Sequence, residues 1–190
     1  MASEVGICNR ALQKLGAKRI TSLSDDSVNA RACNVAYETI RDKLYRSHTW
    51  SFTITRAELA ADSSAPDWGR ANSFQLPSDF IKLAPVYPED NSNSSDWIIE
   101  GRKILTDDSD PIQIRYVYRV TDPNEMDVLF RELLSTDLAF EICEEITQST
   151  TKKEGLRTDR KEIIAEARKA NAFESVSAEP PEDSYLTCRG

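Results

Sequence analysis

The period of the apolar residues changes twice along this chain, and that change limits what it can fold into. Between Ser3 and Arg46 they recur at helical spacing, between Ile112 and Arg119 they alternate with polar residues, and from Asp122 to Phe173 the helical spacing returns. Two helices, a strand-rich insert and two further helices therefore follow in order. The expected fold class is α+β: an antiparallel four-helix layer or bundle from residues 1–51 and 121–174. A small antiparallel β subdomain is inserted at 52–120, and an extended C-terminal tail follows at 175–190.

The first helix is expected from Ser3, a suitable cap, to Leu15, with Gly16 as a left-handed stop and Cys8, Ala11, Leu12 and Leu15 as its apolar stripe. Asp25, Asp26 and Ser27 signal the start of a second helix that runs to about Arg46. Cys33, Ala36, Tyr37, Ile40 and Leu44 share its inner face, and Arg31, Glu38, Arg41 and Asp42 its outer one. Trp50 and Phe52 are placed to plug the core where the chain leaves the helices, with His48 beside Trp50 in a structural role. Phe52, Ile54 and Arg56 read as a strand or extended connector. The stretch from Asp62 to Asp96 carries Pro66, Pro77, Pro85 and Pro88 among Ser and Asn clusters, so it is loop-rich, with one short strand at Phe80–Leu83. A hairpin about Gly101 joins Trp97–Ile99 to Lys103–Leu105.

Asp122-Pro123 reads as the start of the third helix, which runs to about Ile146. Its apolar face, from Met126 through Leu134 to Ile146, is wide enough to imply contact on more than one side. The fourth helix, from about Lys152 to Phe173, has a modest apolar side at Ile163, Ile164, Ala167 and Ala170. Its other faces alternate in charge. Two readings of that charge stand: a solvated surface, or a helix shared with a neighbouring protomer through Arg157, Arg160, Lys161 and Arg168. The tail lacks periodicity, and Tyr185 and Leu186 are its anchor candidates on a partner.

The chain has 190 residues and a net charge of −8. Residues 1–60 hold a surplus of about three positive charges, while 61–121 and 122–190 are negative by about four and seven. Such a balance argues against gripping DNA through its phosphates, which takes clustered Lys and Arg. No apolar run approaches the ~18 residues that span a bilayer, so no membrane partner is expected. No signal peptide is expected from the N-terminus either.

Chemistry-bearing patterns are scarce. Cys8, Cys33, Cys143 and Cys188 form no C-x-x-C pair, and His48 is the only histidine, so no metal site is expected. The first three cysteines read as reduced core thiols. There is no glycine-rich phosphate loop and no nucleophile elbow. Neither a cofactor nor a catalytic residue is assigned. Glu144 and Glu145 are a nominal carboxylate pair, but neighbours on a helix diverge by about 100° and do not flank one bond.

Several segments carry a family resemblance together: N-x-A-L-x-x-L-G at Asn9–Gly16, I-x-S-L-x-D-x-S at Ile20–Ser27, and R-D-x-L-x-R-x-H at Arg41–His48, followed by Trp50 and Phe52. L-P-S-D-F at Leu76–Phe80, E-G-R-K-I-L-T at Glu100–Thr106 and I-T-Q-S at Ile146–Ser149 complete the set. In this order and spacing, from Ile7 to about Glu174, the chain resembles the head-to-tail adaptors of tailed bacteriophages, the tail tubular protein A or gatekeeper family. Thr49 stands where proline is expected before the tryptophan. The resemblance implies a structural, non-enzymatic virion protein, assembled in the host cytoplasm. It would form a dodecameric ring at the head–tail junction, bound to the portal protein and seating the downstream tail tube or nozzle protein. Genomic DNA would pass through its channel without sequence-specific binding. The tail with Tyr185 and Leu186 would reach the portal. Two alternatives remain on the sequence: a virion-associated polysaccharide hydrolase using a carboxylate pair, and a host or prophage regulatory module.

Overall fold

The computed structural model describes residues 1–84 and 96–174. It is a mixed α+β fold with four helices and two small antiparallel three-stranded sheets. The helices are α1 (Glu4–Leu15), α2 (Val28–Ser47), α3 (Val128–Thr147) and α4 (Thr150–Phe173). Among the described residues between α2 and α3 lie a 3-10 turn (Ser51–Thr53) and six strands. These are β1 (Ile54–Leu59), β2 (Asn72–Gln75), β3 (Phe80–Leu83), β4 (Ile98–Glu100), β5 (Lys103–Thr106) and β6 (Ile112–Tyr118).

Local chemistry sets the helix ends. Ser3 Oγ accepts from the Gly6 amide, and Ser27 Oγ from the Ala30 amide, so each first turn has a side-chain acceptor for an otherwise orphaned donor. Gly16 ends α1 at φ +69°, a conformation open to glycine without strain, and its amide reaches the Leu12 and Gln13 carbonyls. The third helix begins later than Asp122-Pro123 suggests. Asp122 Oδ1 instead accepts from the Asn124 backbone and side-chain amides, each at 2.8 Å, closing a separate turn. Asp127 is the cap, with its Oδ1 accepting from Leu129 and Phe130. Two Asp residues each able to cap lie five positions apart, and the one just before the apolar run wins.

Helix α3 packs against α1, α2 and α4, which explains its wide apolar face from inside the protomer. Phe130, Leu133, Leu134, Leu138, Ala139, Ile142 and Cys143 are all buried. The contact on more than one side that its width implies is made with the chain's own helices. A second correction concerns Arg41, expected on the outer face of α2 but only 2% exposed. Its guanidinium carbon lies 5.9 Å from the centre of the Tyr37 ring, and its Nε donates to Asp42 Oδ1 at 3.0 Å.

Both ends of the insert meet in one aromatic cluster. Phe130 stacks on Tyr45 at 5.1 Å between centroids and meets Trp50 and Phe52 edge-on at 5.2 and 5.0 Å. The polar ends of two of these rings are satisfied: Trp50 Nε1 donates to the Leu44 carbonyl and Tyr45 Oη to the Val120 carbonyl. Phe52 sits in the 3-10 turn rather than in a strand, so β1 starts at Ile54.

The antiparallel insert contains two sheets, ordered β1-β6-β3 and β2-β5-β4. Central β6 pairs with β1 in the register Ile114↔Ala57 and Tyr116↔Thr55. Its Ile112, Ile114 and Tyr116 share a core with Phe74 and Ile104 of the second sheet and Leu76 just after β2, while Val117 joins the helical core. The hairpin of β4 and β5 turns at Gly101, φ +61°. Strand β2 has one apolar residue in four, Phe74, so alternation does not reveal it. It is fixed by polar contacts instead, Ser73 Oγ to Asp62 and Asn72 Nδ2 to the Asp108 carbonyl.

Phe130→Ala is expected to cost about 3–5 kcal/mol in chemical denaturation, and Phe130→Leu less than about 2 kcal/mol. A loss below 1 kcal/mol for Phe130→Ala would show that the aromatic cluster does not hold the insert to the helices.

Candidate interface site

Helix α4 presents the charged surface singled out in the sequence, and the structure sorts its four basic candidates into two kinds. Arg160 turns inward. Its Nε donates to Asp137 Oδ1 at 2.5 Å and its Nη2 to Asp137 Oδ2 at 3.0 Å, a two-pronged pair across α3 and α4. Asp137 is buried among Leu133, Leu134 and Leu138, and its carboxylate raises the Arg160 guanidinium above its ordinary range. Arg160 is thus a strut between two helices of one chain. Arg157, Lys161 and Arg168 are exposed. Arg157 makes only a loose 3.8 Å approach to Glu154.

At 100° per residue, Arg157, Lys161 and Arg168 fall within about 40° of one another on the helix surface. Asp159, Glu162 and Glu166 fall within about 60° of one another, centred about 150° from the basic set. All six are exposed. Lys169 lies between the two arcs, and the buried line of α4 runs through Leu156 and Ala167 on the far side. One helix therefore carries a basic flank and an acidic flank, and Arg160 with Asp137 sets the rotation that aims both outward.

The end of α4 is tied to the exit of α2. Asn171 Oδ1 accepts from the Ser51 amide at 2.7 Å, and its Nδ2 donates to the Thr49 carbonyl at 3.1 Å. Beside them His48 lies 4.6 Å from Trp50, ring to ring. Burial, and then the nearby Arg168 and Lys82 charges, push the His48 imidazole below its ordinary range.

Other sequence candidates are placed as follows. Cys8, Cys33 and Cys143 are buried thiols on α1, α2 and α3. Glu144 pairs with Lys153 at 2.8 Å. Among the described residues no group of three or more His, Cys, Asp or Glu could hold a metal ion, and no helix is long and apolar enough to cross a membrane. Tyr185, Leu186 and Cys188 lie outside the described residues. The sequence reading missed the acidic flank and the Asp137 partner. Projecting the helix at 100° per residue separates the flanks, and an Asp inside a run of leucines signals a buried pair. Comparison with protein-family models gives no match, and comparison with curated proteins gives none either.

Arg160→Ala leaves Asp137 without its partner. With the pair partly open to solvent, a loss of about 2 kcal/mol is expected, against less than about 0.5 kcal/mol for Lys161→Ala. Equal losses in urea unfolding would remove the strut. His48 gives a pH prediction. Its folded value lies below the unfolded value of about 6.5, so the unfolded chain binds the proton more tightly. Its contribution to stability is complete above pH 6.5 and is lost as pH falls through the folded value. Melting temperature should drop between pH 7.5 and 5.5, with a smaller drop in His48→Gln; identical slopes would clear His48 of that role.

Proposed function

We propose that this chain is a structural head-to-tail adaptor of a tailed bacteriophage: a subunit of a ring that binds the portal, continues the DNA channel and seats the next tail component. The four helices form the antiparallel layer that carries the ring contacts. The β insert is presented to other components, and the C-terminal tail extends to the portal. The ordered motifs from Asn9 to Ser149 supply the family resemblance behind this reading.

The observation that carries it is the pair of opposed flanks on α4. A ring built head to tail needs two different, complementary faces on every subunit. The basic flank of Arg157, Lys161 and Arg168 against the acidic flank of Asp159, Glu162 and Glu166 on the next copy meets that requirement. Exposed charge pairs add modest affinity but fix orientation and raise the association rate. This suits a subunit that assembles on a template rather than alone. The acidic surplus elsewhere repels the duplex from the channel wall.

The test is the mass in solution by light scattering, alone and with the cognate portal ring. About a dozen copies are expected on each portal. The triple variant Arg157→Glu, Lys161→Glu, Arg168→Glu should assemble at least tenfold more weakly while melting like the parent. A second chain with Asp159→Lys, Glu162→Lys and Glu166→Lys should restore mixed rings. Normal rings from the basic-flank triple would end the role given to α4, and a chain that ignores the portal would end the adaptor reading.

A further inference from the structure

A cavity of about 480 Å³ opens between the end of α2, strand β3 and the β4–β5 hairpin. Arg46, Lys82 and Arg102 line it over an apolar floor that includes Phe80, Leu83 and Ile99. The three cations come from three separate elements, and their contacts are with main-chain oxygens. Arg46 Nη1 donates to the Ile81 carbonyl at 2.6 Å, Lys82 Nζ to the Arg46 carbonyl at 3.1 Å, and Arg102 to the Pro77 carbonyl. Among the described residues none of the three is paired with a carboxylate. Burial, and then the Arg46 charge, hold the Lys82 ammonium below its ordinary range, so a carboxylate at this spot would relieve both.

We infer that this cavity is the seat of the chain's own acidic C-terminal segment, Glu179 to Leu186. Three carboxylates in that segment, Glu179, Glu182 and Asp183, answer three cations, and Pro180, Pro181, Tyr185 and Leu186 answer the apolar floor. The described chain ends in the right place. Asn171, in the last turn of α4, is hydrogen bonded to Thr49 and Ser51. Thr49 lies three residues from Arg46, a Cα path of at most about 11 Å. Beyond Glu174, five extended residues reach about 17 Å and nine reach about 30 Å, so all three carboxylates come within range. His48 marks the same neighbourhood, since it feels Arg168 of α4 and Lys82 of the cavity together. A tethered segment competes at a millimolar effective concentration, which lets a few charge-assisted contacts suffice. The inference concerns the chain before it meets a portal, where the same segment would leave the cavity for the contact proposed above.

Zero-length carbodiimide coupling of the full-length protein at low salt tests it, read by peptide mass spectrometry on an equal mixture of light and heavy isotope-labelled chains. Lys82 is the one cavity cation whose amine couples. A Lys82 link to Glu179, Glu182 or Asp183 within one chain is expected. The Arg46→Gln, Arg102→Gln double variant should lower its yield at least threefold. In the same samples the Lys14–Glu132 and Lys153–Glu144 pairs, at 2.7 and 2.8 Å, report coupling efficiency and an intact fold. Four results overturn the inference: no Lys82 link to the C-terminal segment, links only between light and heavy chains, capture of Glu89 or Asp90 in its place, or a yield unchanged in the double variant.

Discussion

Everything else in this fold depends on where Phe130 meets Tyr45, Trp50 and Phe52. The two helical halves of the chain are separated by an insert, and closing so long a loop costs conformational entropy that only contacts at its ends can offset. Those contacts are aromatic and close: three rings within 5.2 Å of Phe130, from α2 and from the chain just beyond it. The same cluster holds the return path, because Tyr45 donates to Val120 as the chain comes back from β6. Entrance and exit of the insert are thereby pinned to one point, and Val117 carries the helical core onward into the first sheet.

With α3 packed by three helices of its own chain, most of its wide apolar stripe is covered internally. What α4 offers outward is charge, and the pair of Arg160 with Asp137 decides which charges those are. Rotating α4 by one residue would swing both flanks by about 100° and break the half-buried pair of Arg160 with Asp137. Surface specificity here rests on an internal ion pair. Contacts made through such flanks weaken with salt, because their charges are exposed and screened within about 8–10 Å at ordinary ionic strength.

The sequence made the helices legible because their caps are local: Ser3, Ser27 and Gly16 act within four residues of themselves. The alternating strand at 112–118 was legible for a similar reason, since Ile112, Ile114 and Tyr116 all face one core. What escaped was non-local. Strand β2 is held by Asp62 and Asp108, which lie well outside it in the chain. The start of α3 turned on a competition between Asp122 and Asp127 that tertiary packing decides. Arg41 looked exposed by helical phase, yet a long side chain over Tyr37 with Asp42 beside it can be buried. The candidate site was half legible: basic residues were found, but Arg160 was grouped with residues whose surroundings differ completely from its own.

Charge distribution joins these points. The last third of the chain is its most acidic part, yet most acids of α3 are answered nearby. Glu132 is met by Arg10 and Lys14, Asp137 by Arg160, and Glu144 by Lys153. Burial of α3 demands this, since an unpaired charge near a helical core is costly. The surplus is thus pushed outward, to Asp159, Glu162 and Glu166 and to the sequence beyond Glu174. Conversely, among the described residues Arg46 and Lys82 donate to main-chain oxygens. A chain with net charge −8 can therefore still keep a cationic cavity. Three cations in a recess can hold a short acidic segment that arrives tethered.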